Sequence, residues 1–235
     1  SPLGAGLWTL PHALAFILGS QLTPLLVRRA RPAFVMAAGL LLAAAGVGMF
    51  VQFDASAGLA RFVVASVAFS LGTAPLFILT IDLIVGSVPA ERAGAASGLA
   101  ETAAEFGGAL GIAIFGSLGV VVYRAAMAGA IPAGVPLAAA EAAQETLGGA
   151  LAIAGQLPGP LGAQLIAAAR AAFIQGLQLA AGISAAGAVG LAVFALLWLR
   201  RVGAGGATAE ERPEPEGAPR RPGLAAQPAG SLEPN

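Results

Sequence analysis

Ala100-Glu101-Thr102-Ala103-Ala104-Glu105-Phe106-Gly107-Gly108-Ala109-Leu110-Gly111 opens an apolar run that continues without charge to Tyr123. A helix needs about 20 apolar residues to cross a bilayer, and this run supplies them. Two carboxylates therefore stand at the edge of a membrane helix or inside it. A carboxylate at that depth costs roughly 2.5–3.5 kcal/mol on insertion scales, so chains keep one there where it faces a bundle interior and handles protons or cations. Glu101 and Glu105 are one helical turn apart and share a face. A span of about 20 residues ending at Tyr123 begins near Ala103, with Glu105 inside and Glu101 at the boundary. Tilt draws both inward, whereas a late helix start leaves both in headgroup water. Low dielectric and a like charge one turn away both favour protonation. Such a pair can take up a proton, or attract an organic cation when ionised.

Composition agrees with a membrane reading. The chain of 235 residues is 57% hydrophobic and 10% charged, against about 25% charged in a soluble domain. Lysine is absent and all 12 cations are Arg, balanced by 12 acids. A net charge of zero gives a nucleic-acid partner no electrostatic basis. The lack of Cys excludes disulfides, thiolate metal sites and a cysteine nucleophile. No His cluster, phosphate loop or metal-ligand spacing points to an enzyme, a cofactor or a metal. The first residue is Ser and no basic segment precedes the first apolar stretch, so the chain reads as a piece of something longer rather than one with a signal peptide.

Five segments predict an all-α membrane protein with helices at about 4–27, 32–53, 62–88, 93–123 and 171–199. Strand barrels would show short alternating segments, which these are not. Arg28, Arg29, Arg31 and Arg92 fall in loops on one side, with Arg200, Arg201, Arg212, Arg220 and Arg221 after the last helix. Only Arg61, Arg124 and Arg170 fall on the other. The positive-inside rule then puts the N-terminus outside and the C-terminus in the cytoplasm. Residues 125–170 read as an extracellular loop interrupted by Pro132, Pro136, Pro158 and Pro160. Short helices are expected at 137–154 and 161–170, forming either a cap on the outer mouth or an inert hairpin. Residues 1–201 thus form the transmembrane region, and 202–235 read as a disordered cytoplasmic tail.

Helices in lipid associate through small residues. Gly94-x-x-x-Gly98 and Gly107-x-x-x-Gly111 mark a packing face on the fourth helix, and Gly39, Gly46 and Gly48 on the second and Gly176, Gly182, Gly187 and Gly190 on the fifth offer others. Pro75, after Gly72-Thr73, marks a bend in the third. Asp82 falls near the inner end of that helix, where pairing with Arg92 is its expected role. His12, the single histidine, sits near the outer end of the first helix and reads as solvated.

Glu91-Arg92-Ala93-Gly94-Ala95-Ala96-Ser97-Gly98-Leu99, followed by Glu101, Glu105 and the glycine run, resembles the penultimate helix of the fourteen-helix drug:proton antiporters of the major facilitator superfamily. Ser1-Pro2-Leu3-Gly4-Ala5-Gly6-Leu7-Trp8-Thr9-Leu10-Pro11 looks like the entry to a helix in their C-terminal half. The quaternary-ammonium-compound efflux pumps are the most similar branch. The resemblance covers residues 1 to about 201. It implies a partial C-terminal half of a major-facilitator-type bundle whose N-terminal half is missing. It also implies proton-coupling and cation-binding roles for Glu101 and Glu105, and an extended external loop before the last helix. The expected partners are the bilayer, the rest of the transporter, protons and lipophilic cationic small molecules. The expected function is multidrug export at the plasma membrane. The rival reading is a non-transporting membrane scaffold or anchor subunit.

Overall fold

The computed structural model describes residues 2–52 and 58–199. Among them every regular element is helical. They are α1 (Pro2–Val27), α2 (Pro32–Gly48), α3 (Leu59–Gly86), α4 (Ala93–Ala128), α5 (Leu137–Glu145), α6 (Leu147–Ala154) and α7 (Gly159–Trp198). Short 3-10 turns occupy Met49–Gln52 and Ala90–Arg92. Five of the helices, α1, α2, α3, α4 and α7, are long and apolar enough to cross a membrane. A helix suits a membrane span because it pairs its backbone N–H and C=O groups within the segment. The tail expected to be disordered, 202–235, lies outside the described residues.

The bundle is organised around α3, which packs against α1 and α2, while α2 and α4 both pack against α7. Close backbone approach sets these contacts. A Cβ added to Gly39 would lie 2.5 Å from the Gly72 carbonyl oxygen, and one added to Gly46 would lie 2.6 Å from the Phe69 nitrogen. Between α1 and α3, a Cβ on Gly19 would meet that of Ala74 at 2.7 Å. The buried Ser70 hydroxyl donates to the His12 carbonyl at 2.8 Å, a polar tie of the kind that holds helices together in lipid. α3 continues as helix through Pro75, whose ring packs beside Gly39.

Val35, Met36 and Leu79 form a core cluster with Val27, Leu83 and Leu199 around it. The ends of α1, α3 and α7 therefore meet the start of α2 at one end of the bundle. Arg28, Arg29 and Arg31 follow α1 at this end, and Arg92 follows α3. Arg61 lies at the opposite end, where its guanidinium donates to the Gln52 carbonyl at 3.1 Å.

The segment 125–170 departs from the expected loop. α4 continues to Ala128, and α7 begins at Gly159 rather than near 171. No separate helix covers 161–170. Pro158 is the N-cap of α7 and Pro160 sits in its first turn. Proline is tolerated there because the first N–H groups of a helix have no internal partner. The stretch 137–154 is two helices instead of one. Thr146 is extended (φ −151, ψ 154) and its hydroxyl oxygen accepts the Gly149 N–H at 3.0 Å, an N-cap that starts a new helix.

These pieces share a core. Tyr123 and Met127 of α4, Ala143 of α5, Ala150 and Ala154 of α6, and Leu165, Ala169 and Ala172 of α7 bury together. The Tyr123 hydroxyl donates to the Ala143 carbonyl at 2.9 Å. A Cβ on Gly162 would lie 2.5 Å from the Ala154 carbonyl oxygen. Residues 125–170 are thus a packed helical cap that clamps one end of α4 to α7. Replacing Tyr123 with Phe removes one buried hydrogen bond, a loss of about 0.5–1.5 kcal/mol. Hydrogen exchange in α5 and α6 should quicken in that variant while α2 and α3 keep wild-type protection. Unchanged exchange in the cap would contradict the clamp.

Candidate functional site

Glu101 and Glu105 lie on α4, within a stretch from 101 to 110 in which every residue is exposed. Phe106 is 69% exposed and Leu99 73%, so large apolar side chains flank the carboxylates without a partner from this chain. The contrast with the clamped end is sharp. Beyond Gly111 the helix rests on α7, and a Cβ on Gly176 would lie 3.2 Å from the Gly119 carbonyl oxygen.

That contact fixes the level of the carboxylates. α4 and α7 run antiparallel: Tyr123, four residues on from Gly119, shares a cluster with Ala172, four back from Gly176. Fourteen residues back from Gly119 is Glu105, and fourteen on from Gly176 is Gly190. Glu101 is likewise level with Phe194. The uncharged part of α7 runs between Arg170 and Arg200, with its midpoint at residue 185. At 1.5 Å per residue, Glu105 is then about 7 Å from the midpoint and Glu101 about 14 Å. A bilayer core reaches about 15 Å either side of its centre. A core centred on that midpoint would hold Glu105 inside and Glu101 at its edge.

The remaining site residues fall elsewhere. Asp82 of α3 and Arg92 are both exposed, and no ion pair joins them among the described residues. The pairing expected from sequence is not made in this conformation. At an exposed helix end it would gain little, because water screens the attraction. The His12 ring is exposed, with Nδ1 3.4 Å from the Ser66 carbonyl oxygen. A Cβ added to Gly94, Gly98, Gly107 or Gly111 meets nothing within 4 Å. The glycine face of α4 expected to pack is therefore bare among the described residues, while Gly39, Gly46 and Gly176, also expected to pack, do make close contacts between the long helices, as do Gly19 and Gly72. A signal for them was present: Gly39 and Gly46, and Ala65 and Gly72, repeat small residues at heptad spacing on α2 and α3. Spacing alone does not say which small face finds a partner. Tyr123, read from sequence as the end of a span, is the anchor of the cap.

Five helices long and apolar enough to cross a bilayer define a multi-pass membrane protein. Comparison with known proteins narrows the class. The chain is 37% identical over 79% of its length to the multidrug efflux pump LfrA of Mycolicibacterium smegmatis. It is 33% identical over 92% of its length to the tetracenomycin C resistance and export protein of Streptomyces glaucescens. It is 31% identical over 84% of its length to the methyl viologen resistance protein SmvA of Salmonella typhimurium. These homologues are drug-efflux transporters of the major facilitator superfamily, which are not enzymes. No family model matches the chain. It spans 36%, 41% and 39% of the lengths of these three relatives.

The two classes of glycine predict opposite mutational outcomes. Gly72→Ala forces a Cβ to within 2.5 Å of the Ala43 nitrogen, an overpacking cost of about 1–3 kcal/mol. Gly107→Ala adds a methyl group into open space and gains helix propensity, up to about 1 kcal/mol. Thermal unfolding of this chain in detergent should fall for the first and hold or rise for the second. Equal destabilisation by both would contradict the packing described.

Proposed function

We propose that this chain is the C-terminal part of a proton-coupled exporter of lipophilic cationic compounds, and that Glu101 and Glu105 carry proton coupling and cation recognition. What supports the reading is a pair of exposed carboxylates one turn apart, without a partner among the described residues, on a helix long and apolar enough to cross a membrane in a chain similar to drug-efflux proteins. Relatives named for multidrug efflux and for methyl viologen resistance support the export of organic cations.

The rest of the same transporter is the proposed partner of the bare α4 face. Its helices would cover Phe106 and the glycines at 94, 98, 107 and 111, and together with this chain would complete a major-facilitator-type bundle. The substrate cavity would then lie between the two parts, with the carboxylates facing it. The arginine-rich end of the bundle would be cytoplasmic and the cap extracellular, in keeping with the positive-inside rule. The plasma membrane is the proposed location.

The mechanism follows from charge. A carboxylate withdrawn from water holds its proton more firmly. A cation that enters the site competes with that proton, because the ionised form then gains an opposite charge. Release of the proton and binding of the drug are thus one exchange. It drives export only if the two occupants favour opposite-facing conformations. In the complete transporter, Glu105→Gln should abolish drug-driven proton release, and Glu101→Gln should weaken it or narrow the substrate range. Normal export of a panel of monocations and dications by the double Gln variant would overturn the assignment.

A further inference from the structure

At the arginine end of α1 a groove of about 350 Å³ is lined by Leu22, Leu25, Leu26, Arg28 and Arg29. We propose that it binds an anionic phospholipid, with the phosphate against Arg28 and Arg29 and an acyl chain along the three leucines.

Three observations support that occupant. First, the wall is the wrong kind for another helix. Helices in lipid meet through small residues, and on this half of α1 the buried positions are small: Ala15, Gly19 and Thr23 are buried, with Gly19 against Leu71 and Ala74 of α3. The groove side carries only large apolar residues, with Leu22 47%, Leu25 56% and Leu26 49% exposed. Second, the charges fit. Arg28 and Arg29 are exposed and make no ion pair or side-chain hydrogen bond among the described residues. Guanidinium groups present planar forks of donors suited to phosphate oxygens. Third, the turn that holds them is ordered. The Arg29 and Ala30 N–H groups both donate to the Leu26 carbonyl, at 3.0 and 2.9 Å. The arginines are therefore held directly beyond the leucine wall, where a headgroup would sit above its own chain. The inference does not depend on which compounds are exported or on the roles of Glu101 and Glu105.

Native mass spectrometry of the complete transporter, offered equal amounts of chain-matched phosphatidylglycerol and phosphatidylcholine, tests this. Each arginine near an anionic lipid is worth roughly a fivefold preference, so the pair should favour phosphatidylglycerol by about thirtyfold at this site. R28A/R29A should remove the preference, and R170A at the opposite end should keep it. A photoreactive phosphatidylglycerol should label the peptide containing residues 22–29 in the wild type, a readout that needs no variant to fold. Inorganic phosphate should not displace the lipid, since it cannot use the leucine wall. Equal retention of both lipids, an unaltered preference in R28A/R29A, displacement by phosphate alone, or a cross-link from Leu25→Cys to another protein segment instead of lipid would each overturn the proposal.

Discussion

Lipid offers two apolar helices no hydrophobic gain for coming together, so their register is set where backbones touch. In this chain the decisive contact is Gly119 against Gly176. It locks the capped part of α4 to α7, and the level of the carboxylates along the bundle follows from it. Shifting the contact by one helical turn would move Glu105 about 5 Å along the bundle axis. The cap reinforces the same register, with Tyr123 held by the Ala143 carbonyl and Met127 buried against the start of α7.

Clamped at one end, α4 leaves the other without support. Its exposed stretch holds two acids, a phenylalanine and a row of glycines with open space around them. Isolated in lipid, such a segment would carry the full cost of its charges. In the function proposed, a second group of helices makes it the wall of a polar cavity, where the same charges would be the means of binding.

Much of the architecture was legible because the signals were long and uninterrupted. Uncharged runs bounded by arginines gave five spans, and the acids at 101 and 105 stood out against an apolar background. The cap was not legible, since Pro158 and Pro160 read as breaks when they are in fact the start of a 40-residue helix. Proline interrupts a helix interior but suits its first turn, and only the structure shows which applies. Thr146 was equally silent: a threonine in an alanine-rich stretch reads as helix until its extended backbone and the Gly149 hydrogen bond reveal a cap. The glycine motifs at 94, 98, 107 and 111 were read as packing faces, but the helices that touch here do so at Gly39, Gly46 and Gly72. A motif states that close approach is possible. The neighbour decides where it happens.

The central proposal is that Glu105 lies within the bilayer on a stretch of α4 that the other described residues leave exposed. A nitroxide attached through Glu105→Cys in the complete transporter, reconstituted in lipid, reports depth by its collisions with oxygen and with a polar nickel chelate. The absence of native cysteine makes the label at this part of the protein specific. The account predicts oxygen access with shielding from the chelate in the drug-free state at low pH, while a label at position 92 stays fully open to the chelate. Chelate access at 105 equal to that at 92, both without drug and with saturating drug, would contradict it.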